Sequence, residues 1–149
     1  MNIDEFWALI AHVETRSLRR GDADGAVAPL ISALSVLPES ELQSFGEHLA
    51  KSLYDIDGRV YADHSGESAD SDDAFLYARL FVVACGRKHY DAVHADPALM
   101  PKTLNEWCEP LHYVHWHAWA SQTGAEPSDW PHLTEFCYET GSNEALWSQ

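Results

Sequence analysis

Positive charge is what this sequence has least of. Nine Lys and Arg stand against 24 Asp and Glu, for a formal net charge of −15 at pH 7. A field of that sign repels phosphate backbones and anionic lipid and steers basic partners inward. Nucleic acid and membrane surfaces are therefore excluded as expected partners, and a basic protein becomes the expected one. Plain solubility is the competing account of the same acidity. Cysteine is scarce too: Cys85, Cys108 and Cys137 are odd in number, widely spaced and form no C-x-x-C pair. That excludes a disulfide framework. With Asp4 and Glu5 directly after Met1-Asn2-Ile3 and no leader pattern, the expected compartment is the cytoplasm.

Long apolar runs are missing as well. The longest, AFLYARLFVVAC, covers 12 residues and contains Arg79, too short to cross a bilayer. No segment alternates like a strand, and no Gly-rich phosphate loop, G-x-S-x-G or H-E-x-x-H appears. The repeated D-x-D-G, at Asp22/Asp24/Gly25 and Asp55/Asp57/Gly58, fails as a calcium loop. Its glycine falls at position four, and position twelve is Ala33 or Gly66. Both copies read as turns or helix breaks. No cofactor is expected.

What the sequence does have is helical periodicity over most of its length. Ile3, Phe6, Trp7, Ile10 and Val13 form one stripe, and the helix is expected to run on through RSLRR to Gly21. A second helix is expected over AVAPLISALSVL, with Pro29 tolerable only near its first turn. PESELQSFGEHLAKSLYDIDGRVY reads as one long helix, or two with a break near Asp57-Gly58. HSGESADS reads as a loop. Ser71 then reads as an N-cap for DDAFLYARLFVVACGRK, with Asp72 and Asp73 in the first turn. That helix is apolar on nearly every side, so it is expected to be the buried centre. KHYDAVHADP is a short helix stopped by Pro97, TLNEWCEPLHYVHWHAWASQ a long one with Pro110 as a possible kink or break, and PHLTEFCYE a last short one. The fold class is all-α: a single-domain helical bundle, residues 1–149, around a central helix at about 72–86, with 122–149 as a C-terminal extension.

Three groups of residues carry candidate chemistry. Arg79 is the only formal charge inside the apolar helix, and a buried guanidinium must be paired. It either holds an Asp or Glu from a neighbouring helix or faces a pocket and clamps an anion. Tyr77 stands beside it, and Asp72 and Asp73 are either capping residues or paired carboxylates. In LHYVHWHAWA, a helical wheel puts Leu104, Trp107, Leu111, Val114 and Ala118 on a core stripe. Cys108, His112, His115 and Trp119 share its flank, while His117 points away. Cys108, His112 and His115 form the metal alternative, since thiolate and imidazole are good zinc ligands. Packing by amphipathic rings is the simpler reading of the same flank.

MNIDEFWALI, SDDAFLYARLFVVACGRKHYDAVHADP and EPLHYVHWHAWASQTG together resemble a bacterial family catalogued as domain-of-unknown-function family 4240. The similarity runs from about residue 2 to residue 124. The positions that match its motifs are Phe6, Trp7, Ser71, Asp72, Asp73, Phe75, Tyr77, Arg79, Gly86, Arg87, Asp96 and Pro97. The family often has a Trp- and Gly-rich segment before S-D-D, where this chain reads YDIDGRVYADHSGESAD. A pocket lined by that segment in other members would be changed here. The resemblance adds weight to Asp72, Asp73, Tyr77 and Arg79 and implies no reaction.

Composition and motifs thus lead to a non-enzymatic acidic binding domain that recognises a basic protein, in an immunity-like or adaptor role, with homodimer formation a further expectation. The alternative is a small enzyme or ligand sensor with an anion-binding pocket at Arg79, Tyr77, Asp72 and Asp73. His112, His115 and Trp119 complete the set of candidate ligand-binding side chains.

Overall fold

Asn2 opens the first helix. Its side chain accepts from the Glu5 N–H at 2.9 Å and the Glu5 carboxylate returns to the Asn2 N–H at 2.8 Å, a reciprocal cap. In the computed structural model, which describes all 149 residues, this helix, α1 (Ile3–Ile10), buries Phe6, Trp7 and Ile10. Ile3, placed on the same stripe by spacing, is 42% exposed. The helix does not continue to Gly21. The Glu14 N–H turns away to donate to the Ala26 carbonyl at 2.9 Å, and a separate short helix, α2 (Thr15–Arg19), follows.

Helix α3 (Ala23–Leu34) starts three residues before the position expected from spacing, because the Asp22 carboxylate caps the Gly25 N–H at 3.0 Å. Pro29 therefore sits in mid-helix rather than in the first turn. It is tolerated because Pro29 and Gly25 are both exposed, leaving the carbonyl that loses its helical donor open to water. Helix α4 (Glu39–Tyr54) buries Leu42, Phe45, Leu49 and Leu53. The break at Asp57-Gly58 is real, and α5 (Arg59–Asp63) follows it. HSGESADS is not a plain loop: Gly66–Asp70 is a 3-10 turn that buries Ser68.

Helix α6 (Asp72–Ala84) is the centre of the molecule, as its all-round apolarity predicts. The Ser71 hydroxyl caps the Ala74 N–H at 3.1 Å, and every residue from Ala74 to Ala84 except Tyr77 is buried. Gly86 turns the chain with φ 98°, a conformation open to glycine at no steric cost. Arg87 and Lys88 consequently begin α7 (Arg87–Ala95) instead of closing the central helix.

The segment Thr103–Gln122 is not one helix. Pro110 has no N–H to donate and Cys108 departs from helical geometry (φ −141°, ψ 63°). The chain forms a 3-10 turn, Glu109–Tyr113, and only then α8 (Val114–Thr123), which ends at Gly124 in the left-handed region. Leu104, expected in the core, is 47% exposed as a result. PHLTEFCYE is not helical either. It runs across the other helices, pinned by Trp130 against His115, Phe136 against Tyr54 and Tyr138 against His112. The Glu135 N–H bonds the Glu47 carboxylate of α4 at 3.0 Å instead of a helical carbonyl. The only terminal helix is α9 (Glu144–Trp147). No helix is long and apolar enough to cross a membrane.

Candidate functional site

Residues two apart on an α-helix point about 200° from each other, and this divides the central candidates. Arg79 turns inward and Tyr77 turns outward. Arg79 is 0% exposed, with its Nη1 donating to the Leu53 carbonyl and its Nη2 to the Thr140 hydroxyl, both at 3.1 Å. The guanidinium lies 4.8 Å from the centre of the Phe75 ring. Its counter-charge is Asp57, also 0% exposed, at 4.0 Å. Burial pulls the Arg79 pKa down to about 10, while the Asp57 carboxylate works against that pull. The expected ion pair from a neighbouring element thus exists.

The donors to Asp57 all come from the end of the chain. Gly141 and Asn143 donate their N–H groups at 3.1 Å each, and Trp147 its Nε1–H at 2.7 Å. Thr140 also donates its hydroxyl to the Asp72 carbonyl at 2.7 Å. The pair of buried charges is therefore closed over by residues 140–147, and Arg79 opens onto no cavity. The Asp57-Gly58 dipeptide was legible as a helix break but not as a charge centre. Gly58 is needed there, because a Cβ would stand 2.6 Å from the Leu146 Cβ.

His112, His115 and Trp119 form a second group, the seam where the chain end crosses α8. His112 Nε2 and the Tyr138 hydroxyl share a hydrogen bond at 2.7 Å. His115 is 4% exposed, between Phe45 and Trp130. Burial pushes His112 down to about 4 and His115 to about 3. Trp119 donates to Glu39, which also meets His132 at 2.7 Å. No group of three or more His, Cys, Asp or Glu side chains is placed to hold a metal ion. The metal alternative at Cys108, His112 and His115 needs all three on one helical face, with Pro110 between the first and the other two. Cys108 instead precedes the 3-10 turn, outside the helix that carries His115.

On the outward side, the Tyr77 hydroxyl donates to Glu109 Oε1 at 3.2 Å, and its ring packs edge-on to Trp107 with centroids 5.3 Å apart. Burial first, then the Glu109 and Asp73 carboxylates, push the Tyr77 pKa up to about 12. Tyr113 is raised by burial and by Glu109, Glu139 and Asp73. Beside these rings lies a cleft of about 510 Å³. Asp24, Val27 and Ile31, at i, i+3 and i+7 of α3, make one wall. Glu109, Pro110 and Tyr113 of the 3-10 turn make the other, and His117 closes one end. Of these lining residues, Asp24 drew notice in the sequence only as part of a rejected calcium loop, Pro110 as a possible helix break, and Tyr113 and His117 through LHYVHWHAWA; Val27, Ile31 and Glu109 were not singled out. The usable signal was the α3 stripe with Asp24 at its head. Asp72 and Asp73 sit in the first turn of α6, Asp72 giving its carbonyl to Thr140 and Asp73 standing near Tyr77.

The model of the family described as a protein of unknown function, DUF4240, matches residues 1–124. The chain belongs to this family. No curated protein and no solved structure matches it. All residues of the cleft, and both buried charges Asp57 and Arg79, lie inside the DUF4240 region. Residues 140–147, which close over those charges, lie outside it.

Proposed function

We propose that this DUF4240 chain is a non-enzymatic binding domain that recognises a basic protein through an acidic face, in an immunity-like or adaptor role. One observation carries the reading. The cation that an anion-binding site would use, Arg79, is spent inside the molecule, while the outward face around Tyr77 and Tyr113 gathers Asp24, Asp73, Glu109 and Glu139. No Lys or Arg forms an ion pair with any of those four carboxylates. The net charge of −15 supplies the long-range steering. An anion clamp at Arg79 would require residues 140–147 to leave first.

The test is capture from the host's own lysate, eluted in steps of rising salt and read by mass spectrometry. One basic protein recovered in near-equal amount, and released by moderate salt, is the expected result, because steering is screened beyond about 8 Å at physiological ionic strength. Neutralising Asp73 and Glu139 to the amides should then weaken capture. Association indifferent to salt and to those substitutions would defeat the proposal.

A further inference from the structure

The cleft beside Tyr113 combines carboxylates with aliphatic and aromatic lining. The half-buried Ile31 and the small exposed edge of Val27 give it aliphatic surface, while Asp24 comes from α3 and Glu109 from the 3-10 turn. The Glu109 carboxylate is held in place through one oxygen by the Tyr77 hydroxyl at 3.2 Å, which leaves the second oxygen without a protein donor. Asp24 makes no side-chain hydrogen bond and no ion pair. Two carboxylates without a cationic partner therefore line one space of about 510 Å³, together with the ring of Tyr113.

We infer that this cleft is the seat of a single arginine side chain presented by the basic partner. The inference rests on the acidic-face reading above and narrows it to one anchoring group. An arginine matches each feature of the cleft. Its three methylenes lie along aliphatic surface while the charged head remains outside, as Val27 and Ile31 allow. Its planar guanidinium stacks on an aromatic face and forks to carboxylates, as Tyr113, Glu109 and Asp24 allow. A lysine ammonium, being a compact and strongly hydrated charge, uses the carboxylates but gains less from the ring. A neutral side chain of the same shape leaves both carboxylates desolvated and unmatched.

The full-length chain labelled with nitrogen-15 and methyl carbon-13 is titrated with N-acetyl-arginine methylamide, with the citrulline and lysine analogues as comparisons. Saturable shifts at Val27, Ile31, Tyr113 and His117 are expected for the arginine probe. The lysine probe should bind more weakly, and citrulline about tenfold more weakly, since its urea keeps three N–H donors but loses the charge that strengthens their bonds to carboxylates. Asp24→Asn and Glu109→Gln, both exposed, should each weaken the arginine probe by about tenfold while leaving the spectrum of the fold unchanged. Tyr113→Leu provides a third variant that keeps every charge and should erase the preference for arginine over lysine. Equal binding of citrulline, shifts confined to other acidic surfaces, or no saturation overturns the inference. If arginine binds as described but no basic protein is captured from lysate, the cleft stands and the partner reading falls. If a basic protein is captured and Glu109→Gln with Asp24→Asn leaves capture intact, the partner reading stands and the anchor falls.

Discussion

Replacing Asp57 by alanine removes the only carboxylate within ion-pair distance, 4.0 Å, of a fully buried guanidinium. It also strands the N–H groups of Gly141 and Asn143 and the indole N–H of Trp147. Breaking one partner of a buried pair costs about 3–5 kcal/mol, because an uncompensated charge stays behind. Set against a total stability of about 5–15 kcal/mol, that is about a fifth or more. For a chain of this length the midpoint of thermal unfolding should fall by roughly 10–15 °C. Arg79→Met should be costly in the same way, leaving the Asp57 charge without its guanidinium and taking one donor from the Leu53 carbonyl, while the Thr140 hydroxyl keeps its bond to the Asp72 carbonyl. The double variant should lose less than the sum of the two by about 1–3 kcal/mol, since neither charge is then left alone. Urea unfolding of all four proteins completes the cycle, and amide exchange at Gly141 and Asn143 reports whether the chain end has come loose. A cost for Asp57→Ala within about 1 kcal/mol of zero, the value of an exposed pair, would refute the reasoning, as would strict additivity.

Three other outcomes follow from features already described. His112 and His115 are held at about 4 and about 3 by burial, against an ordinary 6.5. Between those values the unfolded chain binds more protons than the folded one, so stability is full above about pH 6.5 and declines as pH falls below it, at up to about 1.4 kcal/mol per pH unit for each histidine. Urea midpoints at several pH values measure this decline, and His115→Gln should flatten it; an unchanged slope would contradict the assignment. Burial raises the thiols of Cys85 to about 11 and Cys108 to about 12, whereas Cys137 is exposed. A thiol reagent at pH 8 should label one cysteine quickly in the native protein, with mass spectrometry placing it at Cys137. Gly58→Ala puts a methyl group 2.6 Å from the Leu146 Cβ, so α9 should lift and stability drop by about 1–3 kcal/mol, read as faster proteolysis of the C-terminus.

The helices were legible where packing follows one-dimensional periodicity. Helix α6 is the clearest instance, since a run apolar on every side has only the interior to go to, and Ser71 marks its start. Legibility failed where a backbone group finds a distant partner. Spacing alone carries no sign that Glu14 donates to Ala26 and so ends a helix. At Pro110 a break was legible, but its form, a 3-10 turn that ends the shared flank of the wheel, was not. The candidate residues serve three places: Arg79 the interior, His112, His115 and Trp119 the seam beneath residues 130–138, and Tyr77 with Asp73 the acidic face. Asp57 was missed because an aspartate before a glycine looks like a turn until its three donors, all far along the chain, come into view.

Those donors lie 84, 86 and 90 residues beyond Asp57, which sets an order of events during synthesis. A growing chain folds from its N-terminus, and contacts so far apart in sequence form late. Asp57 and Arg79 must therefore wait, still hydrated, until residues 140–147 have left the ribosome. Only then can water be expelled from around them. A nascent chain stopped at Gly124 keeps its central charges wet, so the emergence of residues 140–147 is the step that commits the interior.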